Sequence, residues 1–122
     1  MDARRLFGNS GERVAKEYLQ KKGWHILQEQ YRTRFGEIDL IAKDKDEYVF
    51  VEVKTRRSAE NGYPEETITA NKLRHIAASA EEYLSVHHVS DAPFRIDVIA
   101  IMITSSVPDI HHLIAVDMQG SS

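Results

Sequence analysis

Hydrophobic and polar positions alternate along the chain with two periods, one helical and one extended. From about Asn9 to Lys22, Val14, Ala15, Tyr18 and Leu19 recur at helical spacing and Gly23 follows as a stop signal, which predicts a first helix. Trp24 to Gln28 reads as a short strand. Gly36 opens a second extended segment, Glu37 to Lys43, and the polar cluster Asp44 to Glu47 turns it back. Tyr48 to Thr55 is rich in β-branched and aromatic residues and is the clearest strand of the chain. A loop with Gly62 and Pro64 leads to a second helix, whose stripe Leu73, Ile76, Ala77, Ala80 and Leu84 is spaced three and four apart. After Pro93, Phe94 to Ile101 is apolar on both faces, the pattern of a central strand, and a last strand is expected over Ile110 to Val116. The order α-β-β-β-α-β-(β) predicts an α/β fold with a mixed central sheet flanked by helices. The long connection through the second helix lets the strand at Ile96 run parallel to that at Val51.

The hairpin between the second and third strands places acids among apolar residues. Side chains alternate on a strand, so Tyr48, Phe50, Glu52, Lys54 and Arg56 share one face, and Val49, Val51, Val53 and Thr55 the other. With Asp44 to Glu47 as a four-residue loop, Lys43 pairs with Tyr48 and Asp39 falls opposite Glu52. Directly opposed residues have Cβ atoms roughly 5 Å apart. Two carboxylates held that close bind a cation or share a proton. Mg²⁺ (or Mn²⁺) suits such a pair, because it takes one or two carboxylates and keeps several waters. Lys54, on the same face as Glu52, can hold a metal-bound water or stabilise charge building on a phosphate under attack. By itself a Glu-x-Lys on a strand is most often a solvated ion pair. Here Glu52 stands between Val51 and Val53, and Asp39 between Ile38 and Leu40, in otherwise apolar strands.

Composition narrows the class. With 42% hydrophobic and 29% charged residues, the 122-residue chain is expected to be one globular domain over 1–122. The absence of cysteine excludes a disulfide scaffold, a thiolate zinc site and thiol catalysis. The longest apolar stretch, Ile96 to Ile103, is broken by Asp97, and Met1 to Leu6 holds no apolar run, so a cytoplasmic protein without a membrane partner is expected. A net charge of −3 argues against DNA binding by bulk charge, but the charge is uneven. Residues 1–34 carry eight Lys/Arg against four Asp/Glu, and residues 75–122 one against six. Arg32, Arg34, Arg56, Arg57, Lys72 and Arg74 are candidates for a phosphate track, and Trp24, Tyr31 and Tyr63 for stacking on bases, with core packing the alternative for Trp24. His87-His88 and His111-His112 lack metal-ligand spacing and are expected to be solvated at loops or strand ends.

Glu12 has two readings. Asn9-Ser10-Gly11-Glu12 has the pattern of a helix cap whose Glu returns a hydrogen bond to the backbone. On the helical wheel Glu12 also lies about 20° from Leu19, at the edge of the apolar stripe, where it points along the helix–sheet boundary toward the hairpin acids.

Gly36-Glu37-Ile38-Asp39-Leu40-Ile41 followed by Val49-Phe50-Val51-Glu52-Val53-Lys54-Thr55-Arg56 resembles the YraN-like family of small bacterial proteins. That family is similar to archaeal Holliday junction resolvases and belongs to the PD-(D/E)xK nuclease superfamily. The resemblance extends to Gly11-Glu12, Ala15, Tyr31-Arg32, Gly62, Pro64, Lys72 and Arg95-Ile96-Asp97-Val98, with Ile38 where the superfamily name has proline. It implies a restriction-endonuclease-like αβββαβ core and Mg²⁺- or Mn²⁺-dependent hydrolysis of phosphodiester bonds in DNA, branched or structured forms included. It matches Asp39 to the metal-binding aspartate, Glu52 to the second metal carboxylate and Lys54 to the catalytic lysine. Glu12 matches the acid of the first helix, and Val53 the residue that can lend a carbonyl to the metal. A weak homodimer covering its edge through the strand at Ile110 to Val116 is expected. The alternatives are a nucleic-acid-binding module that keeps the fold without turnover, and an interaction domain whose hairpin acids are surface residues.

Overall fold

Extended segments pair into one five-stranded sheet in the order β1-β2-β3-β4-β5. The strands are β1 (His25–Thr33), β2 (Gly36–Asp44), β3 (Glu47–Arg56), β4 (Phe94–Met102) and β5 (Asp109–Leu113). The computed structural model describes residues 3–56 (side chains from Ser10 onward), 68–103 and 107–116. β3 and β4 are parallel and every other neighbouring pair is antiparallel. A parallel pair needs a crossover, and α2 (Ala70–Val86) supplies it. This is the expected mixed α/β architecture, consistent with a restriction-endonuclease-like fold.

The two helices cover opposite faces. α1 (Ala3–Lys21) lays Ala15 and Leu19 on Leu40, Ala42, Val49, Val51, Ile99 and Ile101. α2 lays Leu73, Ile76, Ala80 and Leu84 on Ile38, Ile41, Phe50 and Ile96. β4 is buried on both faces from Ile96 to Met102, as its unbroken apolar pattern requires. Among the described residues, no helix is long and apolar enough to cross a membrane.

Four boundaries differ from the pattern. α1 begins at Ala3 rather than near Asn9. β1 runs on past Gln28 to Thr33, because backbone pairing with β2 carries an edge strand whose exposed side chains show no alternation. Its register shifts at Leu27, between the pairs Ile26↔Ala42 and Gln28↔Ile41. The β2–β3 turn is tighter than a four-residue loop: Asp44 pairs with Glu47, leaving only Lys45 and Asp46, with Lys45 at φ 58°. A two-residue hairpin takes positive φ at its first central position, so the turn closes without disturbing the Lys43↔Tyr48 register. The last strand is Asp109–Leu113 rather than Ile110 to Val116. Ala115, at φ 57°, turns the chain back so that the Val116 N–H donates to the Ile96 carbonyl at 2.8 Å.

The expectation of a solvated His112 is also corrected. Its side chain is 5% exposed, with Nε2 2.7 Å from Asp97 Oδ2 and Nδ1 3.0 Å from the Tyr18 hydroxyl. Trp24 packs edge-on to the His112 ring, and the Arg95 guanidinium lies 5.0 Å over the indole, so Trp24 is a core residue and not a base-stacking one. Tyr31 likewise packs edge-on to Tyr83, while Tyr63 and the Gly62–Pro64 loop lie outside the described residues. His87, His88 and His111 are exposed. Asp97 itself is fully buried and accepts from Arg95 Nε at 3.0 Å, from His112 and from the Ala115 N–H at 3.0 Å. Burial alone would raise its pKa, but these hydrogen bonds outweigh it and hold the carboxyl below the ordinary value. Arg95 carries the charge on to Glu47 at 2.6 Å and Asp44 at 3.6 Å, tying the hairpin turn to β4.

Removing one member of a buried, hydrogen-bonded ion network leaves the rest uncompensated. Asp97→Ala is therefore expected to cost about 3–5 kcal/mol of stability, read as a lowered urea midpoint at neutral pH. The stability that Asp97 contributes is present above the ordinary aspartate pKa of 3.8 and lost as pH falls through its lower folded value. The variant should lack that part of the acid sensitivity.

Candidate active site

The β2–β3 ladder stops at the pair Leu40↔Val51. One step outward, Asp39 Oδ2 accepts the Val53 N–H at 2.8 Å, so a side-chain carboxylate takes the hydrogen bond that a strand carbonyl takes elsewhere. Strict alternation fails at the same point. Leu40 and Ala42 pack in the α1-side core, yet Ile38 joins Ile41 in the α2-side core. Across on β1, between the pairs Glu29↔Leu40 and Tyr31↔Ile38, Gln30 takes a left-handed φ of 51°. The local twist sets Asp39 in electrostatic contact with groups from both layers, Glu12 of α1 and Lys72 of α2.

Glu12 lies well inside α1, more than two turns after Ala3, so the cap reading is overturned: the helix N–H groups are already committed there. The Glu12 carboxylate accepts Gln30 Nε2–H at 2.9 Å and shares a hydrogen bond with Asp39. Burial, then the charge of Asp39, raises its pKa from 4.5 to about 7, against the lowering effect of the Gln30 bond. Gly11 makes this approach possible. It is buried against β3, and a Cβ there would overlap the Thr55 hydroxyl. Glycine inside a helix costs about 1 kcal/mol relative to alanine. Here it lets α1 come close enough to deliver Glu12.

Glu52 is the most constrained of the three acids. Its side chain is 6% exposed, Oε1 lies 3.6 Å from Lys54 Nζ and 3.9 Å from Lys72 Nζ, and Oε2 has no hydrogen-bond partner. Burial and then Asp39 push its pKa from 4.5 up to about 7, with Lys72 and Lys54 pulling the other way. Burial also raises the Asp39 pKa, opposed by the Val53 N–H and the lysines and reinforced by Glu37. A buried acceptor without a partner costs about 1–3 kcal/mol. Oε2 therefore keeps unused acceptor capacity.

The donors here are hard oxygens, which fit Mg²⁺ or Mn²⁺ better than zinc or copper. Among the described residues no three His, Asp or Glu side chains converge as a ready-made cage. An ion that needs only one or two carboxylates and keeps its waters does not require one. Asp39 and Glu52 fit that role, with Val53, the residue after Glu52, anchoring Asp39 through its N–H.

Of the expected phosphate track, only Lys72 among the described residues is brought to the acids. Arg32 is exposed, with Nε 3.1 Å from Glu37, and Arg34 pairs with Glu82 at 3.9 Å. Arg56 ends β3 and donates to the Thr55 carbonyl, Arg74 donates to Asn71, and Arg57 lies outside the described residues. A groove of about 330 Å³ opens beside Glu12, lined by Arg13, Lys16, Glu29 and Gln30, and one of about 140 Å³ lies beside Lys72, Glu37 and His75. Sequence reasoning gave no role to Gln30, a polar residue on an exposed edge strand, or to Gly11, whose signal was a glycine inside a helical pattern.

The raised pKa values have a definite sign. A carboxyl that holds its proton more tightly when folded favours the fold fully below about 4.5, and that contribution is lost as pH rises through about 7. Glu52→Gln removes the buried charge but keeps the shape. In the presence of chelator it is expected to be more stable than the native protein by about 1–3 kcal/mol at about pH 8, with the difference vanishing at about pH 4. Urea unfolding at the two pH values reads this directly.

A family model described as "Uncharacterised protein family UPF0102" matches residues 11–101. A UPF0102 protein of Caldicellulosiruptor saccharolyticus is 45% identical over 98 residues, 80% of this chain and 83% of the relative. One of Syntrophomonas wolfei is 40% identical over 110 residues, 90% and 96% of the two chains, and one of Clostridioides difficile 44% over 94 residues, 77% and 82%. The matched span runs from Gly11, at its contact with Thr55, to Ile101 in β4 and takes in the whole acid and lysine cluster. The chain belongs to the UPF0102 (YraN) family, within the PD-(D/E)xK nuclease superfamily.

Proposed function

We propose that this protein is a metal-dependent endonuclease that hydrolyses phosphodiester bonds in DNA, branched or structured forms included. The observation that carries the reading is Glu52 Oε2, a buried carboxylate oxygen without a partner, in the same cluster as Asp39 and beside two lysines. Asp39 and Glu52 would hold Mg²⁺ or Mn²⁺, with Val53 as a carbonyl donor. Such an ion, when bound, supplies Lewis acidity and a bound water of lowered pKa. The chain's own groups supply the rest. Lys54, 27% exposed and on the same β3 face as Glu52, can place its ammonium against a non-bridging phosphate oxygen. Glu12, with its pKa raised to about 7, can accept a proton from the attacking water near neutral pH. Attack forms one phosphorus–oxygen bond, the ester bond breaks, and the departing alkoxide takes up a proton. Arg56, Arg57 and Lys72 would meet neighbouring phosphates, while Arg32 and Arg34 would first have to leave Glu37 and Glu82.

A panel of labelled duplex, single-stranded and four-way junction DNAs, incubated with Mg²⁺ or Mn²⁺, tests this. The native protein is expected to cleave at least one substrate. Asp39→Ala and Glu52→Gln should lower the rate at least about 100-fold while keeping the circular dichroism of the fold. Full activity in either variant removes the mechanism. Binding without cleavage by the native protein, with both ions present, assigns the chain as a nucleic-acid-binding module.

A further inference from the structure

Lys72 occupies an unfavourable place in its own helix. It lies in the first turn of α2, where its N–H donates to the hydroxyl of the N-cap residue Thr69 at 3.0 Å. A helix N-terminus carries partial positive charge and favours acids. The first turn of α2 has no acidic residue to offset the lysine, and the residues three and four further on are His75 and Ile76. The compensation comes from across the layer. Lys72 Nζ lies 3.9 Å from Glu52 Oε1, the same oxygen that Lys54 Nζ approaches at 3.6 Å. Both ammonium groups therefore address one oxygen of Glu52, and the other, Oε2, is left without a partner. Among the described residues, the ion pair that offsets this local cost is made at the candidate site, which points to a role there. The Lys72 side chain is also 40% exposed, so it can withdraw along its flexible stem without uncovering the core.

We propose that Lys72 is a positioning residue of this site: the counter-ion that α2 holds on Glu52 Oε1, keeping Oε2 presented, until a divalent cation competes for the carboxylate and displaces it. The proposal rests on the metal-dependent reading above and adds to it a competitor for the cation built into the chain. It separates Lys72, which reaches Glu52 from α2, from Lys54, which lies two residues along the same strand.

A double-mutant cycle in metal-free protein at about pH 8 tests the pair without reference to activity. Lys72→Gln is expected to lower Tm by several degrees in the native background and by less than about 1 °C in the Glu52→Gln background. Equal losses in the two backgrounds would overturn the proposal. Mg²⁺ titration calorimetry of the same proteins gives the second readout. Removing the competing charge should tighten Mg²⁺ binding about tenfold in Lys72→Gln, and Lys72→Arg should restore the native affinity. An unchanged or weakened affinity in Lys72→Gln would show that Lys72 supports the fold or meets only DNA, and would overturn the displacement. A native protein that binds no Mg²⁺ would instead remove the metal-dependent reading and the displacement with it, while the Tm cycle would still decide whether Lys72 is the counter-ion of Glu52.

Discussion

One hydrogen bond, from the Val53 N–H to Asp39 Oδ2, governs where β2 leaves β3. Had a backbone carbonyl accepted there, the ladder would have continued and the strand would have kept its alternation. Because a side chain accepts, the ladder ends at Leu40↔Val51, Ile38 turns to the α2 side, and Asp39 comes into the field of both helices' charged groups. The acids of the candidate site gather at this break, where strands diverge and backbone pairing no longer fills the space.

Two buried acids on adjacent strands show how environment divides structural from chemical roles. Asp97 pairs in register with Val51, and Glu52 with Val98. Asp97 accepts from a guanidinium, an imidazole and a backbone N–H, and is held ionised below the ordinary range. Glu52 has two ammonium groups at 3.6 and 3.9 Å, a free oxygen and a like charge nearby, and its pKa rises to about 7. The first is a satisfied network that fixes the β4–β5 edge and the hairpin turn. The second keeps an unpartnered oxygen and a raised pKa, at a cost in stability that a fully satisfied acid does not carry.

The helices reach this site by different means. α1 comes close through Gly11, trading helix propensity for the approach that brings Glu12 to Asp39 and Gln30. α2 crosses between parallel strands, and its first turn brings Lys72 to Glu52 from the opposite layer. The site is therefore assembled from both faces of a sheet that neither helix could cover alone.

Periodicity was enough to read the element order, the parallel β3–β4 pair and the two apolar helix faces, because burial against a sheet imposes periods of 2 and about 3.6 on the sequence itself. The hairpin register from Leu40↔Val51 to Asp44↔Glu47 was legible because a short turn leaves few alternatives for pairing, although the ladder ends one pair short of Asp39 and Glu52. Other features depend on partners distant in the chain, and no local pattern encodes them. His112 looked like a solvated strand-end residue until Asp97 and Tyr18, fifteen and ninety-four positions away, closed around it. Glu12 fitted a helix cap until α1 proved to start at Ala3. Gln30 meets Glu12, and Lys72 meets Glu52, only because an edge strand and a helix turn are brought against the acid cluster. Hydrophobic burial writes its period into the chain, whereas the pairing of charges is decided by which backbones the folded sheet brings within reach.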